Sequence, residues 1–128
     1  MTVRIVRLGT DRLPGEGLRL GTVRRPPRGV ARSDYSSKNF YDVWLPTLAP
    51  SAGTVKLAQG AKSERDWDRF KRKYRAEMAA PENRPTLELL VALSHTTNFS
   101  VGCYCEDEAH CHRSVLRALL IERGAAVI

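Results

Sequence analysis

Alternating or continuous apolar residues predict strands in this chain, and apolar residues spaced three or four apart predict helices. From Val3 to Leu8, β-branched residues alternate with arginine, which predicts a first strand. A second strand is predicted from Gly17 to Val23, after the turn Pro14–Gly17. Asn98 to Tyr104 is predicted as a late strand, and Ala125 to Ile128 as a short final one.

Three segments have the apolar spacing of helices. The first begins at Ser63, which can cap a helix, and runs to about Met78 with its aromatic residues on one face. The second spans Thr86 to Ser94. The third runs from about Cys111 to Glu122, and Gly124 is placed to end it.

The alternation of strands and helices favours an α/β fold with a parallel or mixed sheet flanked by helices. With 128 residues, of which 42% are hydrophobic, the chain fits a single compact domain over residues 1–128. No apolar run approaches the roughly 18 residues of a membrane span, and the N-terminus lacks the apolar core of a signal peptide. We therefore expect a cytoplasmic protein without a membrane partner.

The net charge of +7 favours an anionic partner. A small anionic or phosphorylated ligand and a nucleic acid are both compatible with it, and so is a merely solvated basic surface. Basic residues are dense near the N-terminus and in the first predicted helix. No motif for DNA or RNA binding stands out, and no oligomeric state is predicted.

The most concentrated chemistry lies between Cys103 and Arg113, where the sequence is Cys-Tyr-Cys-Glu-Asp-Glu-Ala-His-Cys-His-Arg. Ligands of open α/β sheets bind at the carboxyl ends of strands, and a helix N-terminus attracts anions. We therefore expect Arg113 to bind an anionic substrate, with help from Arg24 and Arg28. The alternative for Arg113 is an ion pair with a carboxylate of the segment 106–108.

Three interpretations of the cysteines remain open. In the first, Cys111 or Cys105 is a reactive thiol whose pKa is lowered at the helix N-terminus, and His112 assists it. In the second, a zinc ion is held by three cysteines and one histidine: Cys103, Cys105 and Cys111 with His110 or His112. In the third, the cysteines only pack in the core.

The Cys-x-Cys spacing is tighter than usual for zinc ligands, and the chain is long enough to fold without metal. We therefore predict that the protein holds no zinc, and no cofactor is predicted. Phosphatase and rhodanese loops carry an arginine six residues after the catalytic cysteine. In this chain the residue six positions after Cys105 is Cys111. This departure argues against those two families.

Several further motifs, taken together, resemble the bacterial domain-of-unknown-function family 488. They are the Cys-His-Arg run, Pro27-Arg-Gly29 with Arg24, Asp42-Val-Trp-Leu45, Leu48-Ala-Pro-Ser51, and the helix residues Trp67, Phe70, Tyr74, Arg75 and Glu77. One departure is Val23-Arg-Arg-Pro26, where the family often has Asp-Arg-Leu-Trp. The resemblance implies a compact α/β fold and supplies no function.

Two functions of different classes therefore stay open. The first is an enzyme that acts on a small anionic or nucleotide-like substrate through Cys111, His112 and Arg113. The second is a non-catalytic module that binds nucleic acid or another anionic partner through its arginine-rich surfaces. The sequence leans toward the enzyme, because surface charge alone does not require cysteine and histidine at one helix start.

Overall fold

The sheet of the computed structural model, which describes residues 1–128, has four parallel strands. These are β1 (Val3–Arg7), β2 (Leu18–Gly21), β3 (Val43–Trp44) and β4 (Phe99–Cys103), in the spatial order β1-β4-β2-β3. The predicted α/β class is confirmed, and the sheet is parallel. The strand expected at the C-terminus is reduced to one parallel bridge between Val3 and Val127.

Four helices connect and cover the strands: α1 (Ala52–Gln59), α2 (Glu64–Ala79), α3 (Arg84–Leu93) and α4 (His112–Glu122). The last three match the predicted helices to within two residues at each end. Helix α1 was not predicted, because it is short and its first half holds Gly53, Thr54 and Val55, which are weak helix formers. Gly124 follows α4 with a φ of 92°, which suits the predicted helix end.

Helix α2 forms where its sequence predicts, with the Ser63 side chain accepting a hydrogen bond from the Asp66 N–H. Three residues of its apolar stripe, Phe70, Tyr74 and Met78, are buried. Trp67, the fourth, is half-buried and stacks on Phe70 with ring centroids 4.7 Å apart. The stripe therefore faces the core, as expected, except at its exposed first turn.

The two faces of the sheet are covered differently. Phe99 and Val101 of β4 join the main apolar core with residues from α2, α3 and α4. On the opposite face, the buried Arg19 donates to the backbone carbonyls of Thr10 and Asn39, at 2.8 Å each. Loops after β1 and β2 therefore cover that face, and they reach the carboxyl edge of the sheet.

Helix α2 also fixes the chain that leaves β3. The Tyr74 hydroxyl donates to the Leu48 carbonyl at 2.7 Å. The Glu77 carboxylate accepts hydrogen bonds from the Ser51 N–H, the Ser51 hydroxyl and the Thr54 hydroxyl, at 2.6–2.9 Å. These contacts hold the start of α1 against α2 and leave Tyr74 under the carboxyl edge of the sheet.

None of the helices combines the length and the apolar composition that crossing a bilayer requires.

Candidate functional site

The carboxyl end of β4 and the start of α4 bring two thiols together. Cys103 is the last residue of β4, and Cys111 is the N-cap residue of α4. Both are buried, and their Sγ atoms lie 2.9 Å apart. A disulfide bond is about 2.05 Å long. The two residues are therefore free cysteines, and one sulfur can donate a hydrogen bond to the other.

Each of the two buried sulfurs also accepts a backbone N–H. The Cys105 N–H donates to Cys103 Sγ at 3.4 Å, and the Arg113 N–H donates to Cys111 Sγ at 3.5 Å. The second donor belongs to the first turn of α4, where N–H groups lack an intrahelical partner. Because these groups and the helix dipole favour negative charge, they stabilise a thiolate at Cys111.

His112 completes a thiol cluster, which we define as Cys103, Cys105, Cys111 and His112. Its Nε2 lies 2.7 Å from the Thr22 carbonyl oxygen. Because a carbonyl only accepts, Nε2 carries the proton in neutral His112, and Nδ1 has a free lone pair. Nδ1 lies 3.8 Å from Cys111 Sγ, so it is the atom that can take the proton of this thiol.

The three thiols differ in proton affinity. Contacts with the Cys105 and Cys111 thiols, together with burial, raise the pKa of Cys103. The hydrogen bond from Cys103, reinforced by His112, lowers the pKa of Cys111. Contacts with the other two thiols and the charge of Arg113 lower the pKa of Cys105. Cys103 is therefore the weakest acid of the cluster, and the Cys105 and Cys111 thiols lose their protons more readily.

Arg113 is buried beside the thiol cluster and is incompletely bonded. Its Nη2 donates to the Cys105 carbonyl at 2.5 Å, while its Nε, also buried, has no partner. The carboxylates expected to compete for it are bonded elsewhere: Glu106 to Arg7, Asp107 to His110, and Glu108 to Arg117. The alternative of an ion pair between Arg113 and this loop is therefore wrong.

The structure leaves Arg24, Arg28 and His110 outside the cluster, and Cys105 is its exposed member. Cys105 is exposed, in contrast to the other two cysteines. Arg24 lines a surface cleft of about 540 Å³ beside α2, and Arg28 lines one of about 330 Å³ beside Tyr104. Arg113 lines neither of these clefts. His110 bonds to Asp107 at 2.8 Å, outside the cluster.

Three residues of the cluster could hold a metal ion. The ligand atoms of Cys103, Cys111 and His112 all lie within 4.8 Å of one another. The Thr22 carbonyl fixes the imidazole from its far side, as a partner of a ligating histidine does. However, zinc–sulfur bonds of about 2.3 Å in a tetrahedral site place two sulfurs roughly 3.7 Å apart. The sulfurs at 2.9 Å would have to separate.

Sequence reasoning missed Thr22 and the part that Tyr74 plays at this site. The Thr22 carbonyl and hydroxyl both approach His112 Nε2, at 2.7 and 3.4 Å. The Tyr74 ring, predicted only as core, lies edge-on to the imidazole with centroids 5.5 Å apart. Thr22 directly follows β2. Because the carboxyl ends of parallel strands meet at one edge of a sheet, this position could have placed Thr22 at the site.

A comparison with known families decides the relationship that the motifs suggested. The model of the active DUF488-N3 subclade matches residues 3–124. The chain belongs to the DUF488 family. No curated protein and no solved structure matches it.

In this DUF488 protein, the separate sequence motifs meet in space. The Leu48–Ser51 stretch is bound by Tyr74 and Glu77 of the helix motif. Tyr74 in turn contacts His112 of the Cys-His-Arg run. Three of the motifs therefore form one connected structure beside the thiol cluster.

Proposed function

We propose that this DUF488 protein is an enzyme that attacks a small anionic, nucleotide-like substrate with a cysteine thiolate. Cys111 is the nucleophile, His112 is its proton partner, and Arg113 binds the anionic group. The observation that carries the proposal is the approach of His112 Nδ1 to within 3.8 Å of Cys111 Sγ, at the start of a helix.

Arg113 supports an anionic substrate. A buried guanidinium without a carboxylate partner is costly, because its charge has lost water and gained little in exchange. An anion on its free Nε would repair this deficit, and the start of α4 would add N–H groups. A phosphate or carboxylate of the substrate would thus lie beside the thiol cluster.

The proposed chemistry is covalent catalysis in two proton-balanced steps. Cys111 Sγ loses its proton to Nδ1 of His112 and bonds to the electrophilic atom of the substrate. The leaving group departs with the bonding electron pair and takes the proton back from His112. In the second step, water or a second nucleophilic substrate gives a proton to Nδ1 of His112 and bonds to the same substrate atom. The bond from that atom to Cys111 Sγ breaks, and the sulfur leaves with the electron pair and takes the proton back from His112.

Cys105 supplies the exposed sulfur in this proposal. Cys111 is only 3% exposed, whereas Cys105 is exposed and its carbonyl accepts from Arg113. None of the five main surface clefts is lined by a residue of the thiol cluster. A substrate bound at Arg113 would therefore meet Cys105 first, so Cys105 is the second catalytic candidate.

Site-resolved alkylation tests this assignment. The native protein is treated with iodoacetamide between about pH 5 and 9, and each cysteine is followed by peptide mass spectrometry. Cys105 is expected to react fastest, and Cys111 is expected to react at neutral pH at a rate that falls about tenfold in His112→Gln. The Cys105 rate should not change in that variant. A Cys111 rate that is independent of His112 would refute the assignment.

A binding module is the second candidate, and it rests on one face of α2. Arg65, Arg69, Arg72 and Lys73 are exposed there, and none of them is in an ion pair. Spacings of three and four residues place Arg65, Arg69 and Arg72 in one row. Salt-dependent binding of an oligonucleotide, lost when the three are changed to glutamine, would favour this candidate. Binding without salt dependence would count against it.

A further inference from the structure

A second site lies at the same edge of the sheet, in a cleft of about 390 Å³ beyond the ends of β2 and β3. We call it the aromatic cleft and define it by Tyr35, Tyr41, Trp44 and Arg32. Its volume falls within the roughly 300–1,000 Å³ typical of small-molecule sites. None of these residues takes part in the proposed thiol chemistry.

Tyr41 is the residue that points to a ligand. It is only 4% exposed, and its buried hydroxyl has no hydrogen-bond partner. Its ring lies so close to β2 that a Cβ on Gly21 would meet its Cδ2 at 2.3 Å. The glycine therefore makes room for this ring, although the hydroxyl gains no bond there. Buried polar groups are nearly always bonded, and this hydroxyl has no partner within the chain.

The other walls of the aromatic cleft suit a flat ring. Tyr35 packs edge-on against Tyr41 with centroids 5.3 Å apart. Trp44 stays 42% exposed although its Nε1 donates to the Val23 carbonyl at 2.7 Å. That hydrogen bond fixes the plane of the indole and leaves part of its surface open for stacking.

The charges around the aromatic cleft favour an anion. Arg32 is exposed at its rim and takes part in no ion pair. Asp42, the acidic residue of the lining, is neutralised by two hydrogen bonds from the Arg12 guanidinium, at 2.8 and 3.0 Å. The cleft therefore offers aromatic surface, an unbonded hydroxyl and one free positive charge.

The aromatic cleft is joined to the thiol cluster through the end of β2. Thr22 and Val23 are consecutive, and their carbonyls accept from His112 and Trp44 respectively. Tyr41 also belongs to the same buried cluster as Cys103 and Cys111. A ligand in the cleft would therefore lie next to the proposed catalytic residues.

We infer that the aromatic cleft binds the base of a nucleoside monophosphate, with Tyr41 bonding to the ring and Arg32 attracting the phosphate. This inference rests on the proposed function, because it specifies the substrate class of that enzyme: a nucleoside monophosphate that carries a second anionic group, which Arg113 binds beside the thiol cluster. It commits to a mononucleotide. An oligonucleotide would need the basic face of α2, and the test described below distinguishes it from a mononucleotide.

Fluorescence of Trp44 measures this binding directly. Trp67→Phe leaves Trp44 as the single tryptophan of the chain, which has two. Saturable quenching by adenosine monophosphate is expected at millimolar concentration or below, and ribose 5-phosphate should bind at least about tenfold more weakly. No saturable quenching by adenosine or uridine monophosphate would overturn the inference. Tight binding of an oligonucleotide with none of the mononucleotides would also overturn it.

Two substitutions locate the ligand. Tyr41→Phe is expected to weaken adenosine monophosphate about tenfold while the Tm stays the same or rises, because an unbonded buried hydroxyl is removed. Tyr104→Phe is the matched control, since its hydroxyl already donates to the Arg25 carbonyl in a neighbouring cleft. Arg32→Ala should weaken adenosine monophosphate and leave adenosine unchanged. Equal affinities in Tyr41→Phe and Tyr104→Phe would overturn the inference.

Nucleotide binding at the aromatic cleft and thiol chemistry at Cys111 can be tested separately. Cys111→Ser should keep the Trp44 quenching, because the sulfur does not line the aromatic cleft. Nucleotide binding with a Cys111 rate independent of His112 would refute only the catalytic assignment. A His112-dependent Cys111 rate without nucleotide binding would refute only the aromatic cleft.

Discussion

Arg19 and Arg113 are both buried, and they differ in how their guanidinium groups are bonded. Arg19 donates from Nε and Nη2 to the Glu16 carboxylate, at 2.9 and 3.1 Å, and its remaining bonds go to backbone carbonyls. Arg113 makes one side-chain hydrogen bond, to the Cys105 carbonyl, and its Nε has none.

The difference separates a structural charge from a functional one. Glu16 accepts from Arg19 and from the Ser100 hydroxyl, so the pair ties the loops to the sheet and leaves no capacity for a ligand. Arg113 keeps an unbonded donor, its Nε, beside two thiols whose pKa values are lowered. Incomplete bonding at a buried charge is costly, and it persists most readily where a ligand completes it.

The largest expected effect is a change in the free energy of unfolding when each arginine is replaced by methionine. Arg19→Met leaves the Glu16 carboxylate buried without its partner, and we expect it to lower the free energy of unfolding by about 3–5 kcal/mol. Arg113→Met removes one hydrogen bond and one unbonded group, so its cost should stay near 1 kcal/mol. Urea titration of both variants measures this. Equal losses would show that Arg113 is as structural as Arg19.

Acid should lower the free energy of unfolding by protonating Glu16, the partner of Arg19. Burial alone would raise the pKa of Glu16, but hydrogen bonds from Arg19 and Ser100 outweigh burial and lower the pKa below 4.5. The stabilisation is therefore complete above the unfolded value and is lost as the pH falls through the lower folded value. Urea titrations from about pH 6 to 3 should show this loss. A smaller loss is expected in Glu16→Gln, and an equal one would assign the effect to other carboxylates.

Arg113→Lys tests whether the incomplete bonding serves an anion. Phosphate should bind the wild-type protein at millimolar concentration, and the variant should bind about tenfold more weakly, because lysine lacks the planar fork. Amide chemical shifts at residues 110–114 follow the titration. Equal affinities, or shifts confined to residues 24–32, would place the anion elsewhere.

The smallest expected effect concerns the zinc content, because we predict that the purified protein contains no zinc. The contrast between the two arginines would change if a metal completed the thiol cluster, since the cysteine charges would then be neutralised by the ion. Elemental analysis of the wild type and Cys111→Ser measures the content. About one zinc per chain, lost in Cys111→Ser, would contradict the prediction and the nucleophile assignment together.

The sequence by itself determined the elements whose signals are local. Alternation predicted β1 and β4, and Ser63 with the stripe of α2 predicted that helix, because a strand or helix with one buried face imposes its own period on the sequence. The Cys103–Arg113 segment identified the candidate site for a similar reason. Its strand, loop and helix start follow one another in the chain, so they had to be neighbours in space.

Only the tertiary structure decided which groups meet across long separations. The contact of Thr22 with His112, the bond of Glu16 with Ser100, and the unbonded hydroxyl of Tyr41 carry no local pattern. They follow from the β1-β4-β2-β3 order, which places the ends of β2 and β4 side by side. Whether a buried polar group is bonded depends on what packs against it, and that is fixed by the assembled sheet and its loops.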